Sequence, residues 1–245
     1  MKTVLITGAT RSIGLETAKQ LIEKGYFVYL GSRNIDKGEE TVKALNELGL
    51  KTVKAVQIDV TDAASIVAVR DLIEKENGKL DILINNAGVS GKLPQNASNA
   101  SIEDIQATFD TNFFGTIRVT QTFLDLLKKA DSPRITNLTS GLSSLTLHDD
   151  PNWMFYAFKG ASYGPSKTAL NAYTQALAFE LKDTPFKVNA VDPGFTATDF
   201  NQHRGHGKVE DAAAFVIRHT LTSEDAPTGK FFSNDIDDDS KVSPW

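Results

Sequence analysis

Tyr163 and Lys167 lie four residues apart in the run Tyr-Gly-Pro-Ser-Lys. On a helix that spacing puts both side chains on one face, one turn apart. An ammonium next to a phenol favours phenolate and lowers a pKa that is otherwise about 10. Such a tyrosine can donate a proton near neutral pH. The spacing alone recurs by chance in a chain of this size. Its weight comes from what the other segments could place around it.

The bulk properties narrow the classes. The chain has 245 residues, 40% of them apolar and 23% charged, as in an ordinary globular protein. A net charge of -5 argues against a general binder of nucleic acid or anionic membranes. With no cysteine there is no disulfide framework, thiolate metal site or cysteine nucleophile, which fits a reducing cytoplasm. The apolar run at the N-terminus is too short for a signal peptide, and no run reaches the roughly 18 apolar residues of a membrane span. The expectation is a soluble, cytoplasmic protein with neither a membrane nor a nucleic-acid partner. His203 and His206, with Asp199 nearby, lie in a Gly/polar stretch that reads as a substrate loop, so no metal is expected. The acidic run Asp235–Asp239 lacks the glycine of a calcium loop and reads as a solvated segment.

Short β-branched runs alternate with longer amphipathic ones. Strands are expected at Thr3–Thr7, Phe27–Ser32, Val53–Asp59, Ile82–Asn85, Arg134–Thr139, Lys187–Asp192 and near Lys230–Ser233. Helices are expected at Ile13–Lys24, Lys37–Leu48, Ala63–Glu76, Ile102–Lys129 with a break near Gly115, Ser162–Lys182 and Val209–Leu221. This alternation predicts an α/β fold, a single doubly wound parallel sheet with helices on both faces, filling residues 1–245 as one domain. Ligands of such sheets sit beyond the carboxyl ends of the strands.

The first strand runs into Thr7-Gly8-Ala9-Thr10-Arg11-Ser12-Ile13-Gly14 and then a helix. Gly8 permits a tight turn, Gly14 lets the helix approach the sheet, and the free N–H groups of the helix suit a pyrophosphate. The second strand ends with Arg33 where an NAD site usually carries an acid. Arg33 and Arg11 suit the 2′-phosphate of NADP. Asp36, the competing ribose ligand, reads instead as the cap of the helix from Lys37. Ser140, at a strand end, could aim a hydroxyl at charge developing on a substrate oxygen, with Thr139, Ser143 and Ser144 as local rivals.

The loop Thr7–Gly14, the Asn85-Asn86-Ala87-Gly88 segment, Asn112, Ser140, the Tyr163/Lys167 pair and Pro193-Gly194 occur in the order seen in the short-chain dehydrogenases/reductases, which the chain resembles over essentially its whole length. Asn112-Phe113-Phe114-Gly115-Thr116 and the aromatic-rich run before Tyr163 are similar to the NADPH-dependent carbonyl reductases of that family. The resemblance implies a Rossmann-type sheet and an NADPH-dependent oxidoreductase that reduces an aldehyde or ketone to an alcohol. Tyr163 is then the general acid. Lys167 tunes it and holds the nicotinamide ribose, Ser140 hydrogen-bonds the substrate oxygen, and Asn112 bends its helix and holds a relay water. By the same resemblance Gly8, Thr10, Arg11, Ser12, Ile13, Gly14, Arg33, Asp59, Val60, Asn86, Ala87, Gly88, Pro193, Gly194 and Thr198, with Tyr163 and Lys167, contact NADP. Asp59 and Val60 border the adenine, Asn86 and Gly88 flank the adenosine ribose and phosphates, and Thr198 meets the carboxamide side. A non-catalytic NADP(H)-sensing protein of the same fold is the alternative, although such proteins lose the tyrosine or lysine. A nucleotide-sugar epimerase would need a larger C-terminal domain.

The chain departs from the family pattern twice. Ser12 stands where the loop usually has glycine, and we expect a helical, negative φ there. Tyr163 follows Ser140 by 23 residues, longer than in the shortest members. The inserted segment, roughly Leu145–Gly160, is expected at the site mouth, shaping the pocket or covering a helix face used for assembly. Pocket walls are expected from this segment, Val89–Asn96 and Phe195–Gly207. The small-molecule carbonyl substrate and the choice between monomer and homo-oligomer stay open.

Overall fold

Consecutive apolar residues in a strand require cover on both faces, and the computed structural model, which describes residues 1–245, supplies it. In β1 (Thr3–Ile6) Val4 and Ile6 enter one hydrophobic cluster and Leu5 the other. The sheet has seven parallel strands, adding β2 (Phe27–Ser32), β3 (Val53–Gln57), β4 (Ile82–Asn85), β5 (Arg134–Leu138), β6 (Lys187–Asp192) and β7 (Phe231–Ser233). Their order is β3-β2-β1-β4-β5-β6-β7. One face is covered by α1 (Ser12–Glu23), α2 (Ile35–Glu47) and α8 (Val209–Thr220), which contribute Leu21, Leu45 and Val216. The other is covered by α3 (Ala63–Asn77), α5 (Thr116–Leu127) and α7 (Tyr163–Glu180), which contribute Ile73, Phe123 and Leu177. Two short helices, α4 (Ile102–Phe109) and α6 (Leu145–His148), complete the set.

The chain builds outward from β1 to β3, then returns and builds the other way from β4. Ile6 therefore pairs with both Leu30 and Ile84, and a crevice opens beyond the carboxyl ends of β1 and β4. No helix is long and apolar enough to cross a membrane.

Several element ends differ from the sequence expectation. Asn34, not Asp36, caps α2: its Oδ1 accepts from the Lys37 amide at 3.0 Å, so the helix begins at Ile35 and Asp36 falls in the first turn. β3 stops at Gln57 and β5 at Leu138, leaving Asp59, Val60 and Thr139 in the loops that face the crevice. The expected break near Gly115 is a π-helical turn, Asp110–Gly115, between α4 and α5. A Cβ at Gly115 would lie 2.7 Å from the Val60 side chain, so glycine is needed for this close approach.

Under the crevice runs a buried polar seam. Asn85 donates to Asn137 Oδ1 at 2.8 Å and to Thr120 at 3.0 Å, and Asn137 donates to Thr174 at 2.9 Å. It ties β4 and β5 to α5 and α7 and fixes where α7 begins. Replacing Asn137 with Ala leaves Asn85 and Thr174 without these partners. We expect a loss of about 2–3 kcal/mol in urea unfolding.

Candidate active site

The two turns that begin the crevice are fastened to each other. Thr7 Oγ1 accepts from the amides of Asn86 and Ala87 at 3.1 and 3.0 Å. Asn86 Nδ2 donates back to the carbonyls of Thr7 and Gly8, both at 2.8 Å. Gly8 turns at φ +65, and a Cβ at Gly14 would lie 2.5 Å from Asn86 Nδ2. Only glycine lets α1 start this close to the post-β4 turn. The amides at the start of α1 then open onto a cavity of about 1140 Å³.

Ser12 corrects the sequence expectation. Its φ is +50, in the left-handed region, and not the predicted negative value. The loop needs that conformation to enter α1, which explains why a glycine suits the position. Serine adopts it at a cost of about 1–2 kcal/mol.

The cavity runs from this loop to the catalytic candidates. Gly8, Thr10, Arg11, Ser12, Ile13, Gly14, Arg33, Asp59, Val60, Asn86, Ala87, Gly88, Ser140, Tyr163, Lys167, Pro193, Gly194 and Thr198 all line it. Arg11 and Arg33 are exposed at one end, where Lys37 joins them. Asn112 is the exception: fully buried, it lies behind the wall. Its Oδ1 accepts from the Val89 amide at 2.8 Å, and its Nδ2 donates to the Val89 carbonyl and to Ser166 Oγ at 2.9 and 3.0 Å. The side chain thus stitches the post-β4 loop to α7.

At the other end the first two turns of α7 carry Tyr163 and Lys167, with Pro165 where a helix needs no N–H donor. Lys167 is buried and donates to the Leu138 carbonyl at 2.8 Å. Its Nζ lies 6.0 Å from the Tyr163 ring centroid. The pair shares a helix face, as the spacing implied. Burial raises the Tyr163 phenol above its ordinary value, the Asp192 carboxylate adds to this, and the Ser140 hydroxyl offsets part. Tyr163 is half-buried and keeps some surface open to the cavity. Burial also pulls Lys167 down to about 8, against the pull of Asp192.

Ser140 is held from behind, and its rival Ser143 has a structural part. Ser143 Oγ donates to the Ser140 carbonyl at 2.6 Å and accepts from Asn171 Nδ2 at 2.7 Å, while Thr168 Oγ1 donates to the Ser143 carbonyl at 2.9 Å. Thr139 Oγ1 is buried without a partner, and Ser144 caps α6 through the Leu147 amide.

The inserted segment lies at the mouth and contributes Phe155, Ala157, Phe158, Lys159 and Gly160 to the cavity wall. Phe155 stands edge-on to Trp153 and to Phe195, both with centroids 5.5 Å away, and Phe200 lies 5.5 Å from Tyr163. His203 bonds Asp199 at 3.0 Å, and His206 stands edge-on to Phe195.

Three contributors escaped the sequence reading. Gln95 lies in an expected wall segment, but its Oε1 accepts from the Tyr163 amide at 3.1 Å while its carbonyl accepts from Ala161, so it caps α7 from 68 residues away. Asp235 is not solvated: it accepts from the Phe195 amide at 3.1 Å and pins that loop. Asp192 ends β6 inside the site, 4% exposed. An acid at the end of an otherwise apolar strand was the available signal.

Two outcomes follow. Ser12→Gly should retain dinucleotide affinity and unfold at equal or higher urea, while Ser12→Val, a β-branched residue at positive φ, should lose at least about 1–2 kcal/mol. Ser143→Ala should cost about 1–3 kcal/mol in unfolding, because Asn171 loses a buried acceptor.

Comparison with known proteins agrees with this geometry. A profile of the short chain dehydrogenase family matches residues 2–208. The chain is 33% identical to (-)-isopiperitenone reductase of Mentha piperita, covering 94% of this chain and 96% of the relative. It is also 33% identical to (+)-neomenthol dehydrogenase of Arabidopsis thaliana, with 94% and 95% covered. The solved structure of salutaridine reductase from Papaver somniferum superposes with a TM-score of 0.82 at 29% identity over 96% of this chain and 100% of that one. NADPH-bound carbonyl reductase from chicken fatty liver gives 0.85 at 25% identity over 100% and 99%. With the family profile and relatives of this identity agreeing over most of its length, the chain belongs to the short-chain dehydrogenase/reductase family of oxidoreductases.

Proposed function

We propose that the whole chain acts as one NADPH-dependent reductase of aldehydes or ketones. The observation that carries this reading is one continuous cavity. Arg11, Arg33 and Lys37 stand at one end, and Ser140, Tyr163 and Lys167 at the other. The glycine loop and the open amides of α1 fit a pyrophosphate, and the exposed guanidiniums fit a 2′-phosphate. NADP(H)-bound relatives in the fold comparison support the same cofactor.

The bound NADPH supplies the hydride. The chain's part is position, protons and dryness. Ser140 Oγ and Tyr163 Oη aim two donors at the carbonyl oxygen, where negative charge develops during reduction. The Tyr163 O–H bond breaks and an O–H bond to the product alcohol forms. Lys167, held by the Leu138 carbonyl, is the cation that stabilises the resulting phenolate. Asn112 and Gln95 hold the start of α7 against the post-β4 loop. Leu93, Leu142, Phe155, Phe158, Phe195 and Phe200 give the mouth an apolar wall. This suits a carbonyl compound with an apolar, ring-sized body, in keeping with relatives named as reductases of isopiperitenone and salutaridine.

Tyr163→Phe should lower kcat for carbonyl reduction by about 10²–10⁴-fold while NADPH binding, read by fluorescence, stays within about twofold. Survival of turnover would remove Tyr163 as the acid. Arg33→Asp should lower the NADPH-over-NADH preference about 10–100-fold by removing a charged hydrogen bond and adding repulsion. A wild type that prefers NADH would overturn the phosphate assignment.

A further inference from the structure

The loop Phe195–Gly207 stands against the inserted segment at the mouth, and its hydrogen bonds are nearly all its own. The Phe195 carbonyl accepts from the His206 and Gly207 amides, both at 3.0 Å, and the Gly207 carbonyl accepts from Ala197 at 3.0 Å. Asn201 Nδ2 donates to the Thr196 carbonyl at 2.8 Å, and Thr196 Oγ1 reaches back only to the carbonyls of Pro193 and Gly194. One hydrogen-bonded link runs from this loop to the rest of the fold. The Phe195 amide donates to the Asp235 carboxylate, to Oδ2 at 3.1 Å and to Oδ1 at 3.4 Å.

Asp235 is itself set by the end of β6. Its amide donates to Ser233 Oγ at 3.2 Å, and Ser233 Oγ donates to Asp192 Oδ2 at 2.7 Å. The Asn234 amide donates to the Asp192 carbonyl at 3.0 Å, and Asn234 Nδ2 donates to the Pro193 carbonyl at 3.3 Å. The carboxylate also lies on the backbone just before the loop: Gly194 turns at φ +82, and a Cβ there would fall 2.7 Å from Asp235 Oδ1. The post-β7 turn is therefore a fixed support, and the loop is held to it by one amide.

That amide belongs to a residue of the substrate wall. The Phe195 ring stands edge-on to Phe155 of the inserted segment at 5.5 Å, and Phe200, later in the same loop, lies 5.5 Å from Tyr163. All three phenylalanines line the cavity. Edge-on aromatic contacts are weak singly, whereas a hydrogen bond to an ionised acceptor is short, directional and stronger. The backbone bond, more than ring packing, decides where Phe195 stands.

We propose that Asp235 is a positioning residue that sets substrate size. By holding the Phe195 amide it fixes the gap between this loop and Phe155, where the apolar body of the carbonyl compound sits. The inference rests on the reading of the cavity as a carbonyl reductase site. A small carbonyl compound meets Ser140 and Tyr163 without touching this wall, and a ring-sized one needs it. Loss of the bond then weakens binding of the large substrate in ground and transition states alike, which raises KM and spares kcat.

The test compares a substituted cyclohexanone with propanal as substrates of the NADPH-loaded protein. Asp235→Ala should raise KM for the ring ketone about tenfold or more, with kcat within about threefold and kcat/KM for propanal within about twofold. Asp235→Asn keeps an acceptor oxygen without the charge, so its preference for the ring ketone should fall only about threefold. Equal losses on both substrates, or a loss confined to kcat, overturn the proposal. If Asp235→Ala does not fold, Asp235→Asn decides alone, and a preference equal to wild type overturns it. Tryptic cleavage after Arg204, exposed in the loop, reads the tether without turnover. It should be about fivefold or more faster in Asp235→Ala, and an unchanged rate overturns the proposal. Should wild type reduce neither carbonyl compound, the reading of the cavity fails, while the cleavage rate still decides whether Asp235 holds the loop.

Discussion

A lysine ammonium removed from water must be repaid locally, and much of the site is arranged around that constraint. Lys167 is 4% exposed, and its single hydrogen bond runs to the Leu138 carbonyl at the end of β5. That bond needs α7 to cross β5 at a fixed height, which the Asn85–Asn137–Thr174 seam secures from below. The π-helical turn at Asp110–Gly115 secures it from the side, since it lets Asn112 reach both Val89 and Ser166. With the ammonium fixed, Tyr163 is fixed one turn earlier.

The same arrangement explains why so much polarity is buried at one end of the sheet. Thr7, Asn85, Asn112, Thr136, Asn137, Ser143, Asn171 and Thr174 are all buried, most of them near the carboxyl ends of the strands. Nearly every donor among them has a named partner, as low dielectric demands. The opposite ends of the strands bury charge instead: Asp81 accepts from Thr3, and Arg134 donates to the Pro133, Pro185 and Thr222 carbonyls. A polar lattice lies under Ser140, Tyr163 and Lys167 and an aromatic wall above them, a division suited to constant chemistry on a variable substrate.

The sheet and its connections were legible in the sequence because strands buried on both faces are apolar at consecutive positions, and because Gly25, Gly49 and Gly78 follow helix ends. The glycine loop, the paired arginines and the helix break near Gly115 were legible for similar local reasons. What escaped depends on distance in sequence or on burial. Asn34 outcompetes Asp36 as a cap through a backbone angle that composition does not reveal. The left-handed Ser12 is imposed by the loop's path between β1 and the post-β4 turn, not by serine's own preference. Asp235 looks like one acid in a solvated run until the fold brings Phe195 to it. Burial and the Asp192 carboxylate raise the Tyr163 phenol, and neither is visible in the Tyr163/Lys167 spacing.

The cap that Gln95 provides for α7 has a practical consequence. The segment that would be exchanged to reshape the cavity wall also caps the start of the helix bearing Tyr163. Grafting residues 89–96 from another member would reshape the wall and loosen the helix start at Tyr163 together, unless a glutamine is retained at position 95. Exchanges on the Phe155–Phe158 side of the mouth leave that cap in place.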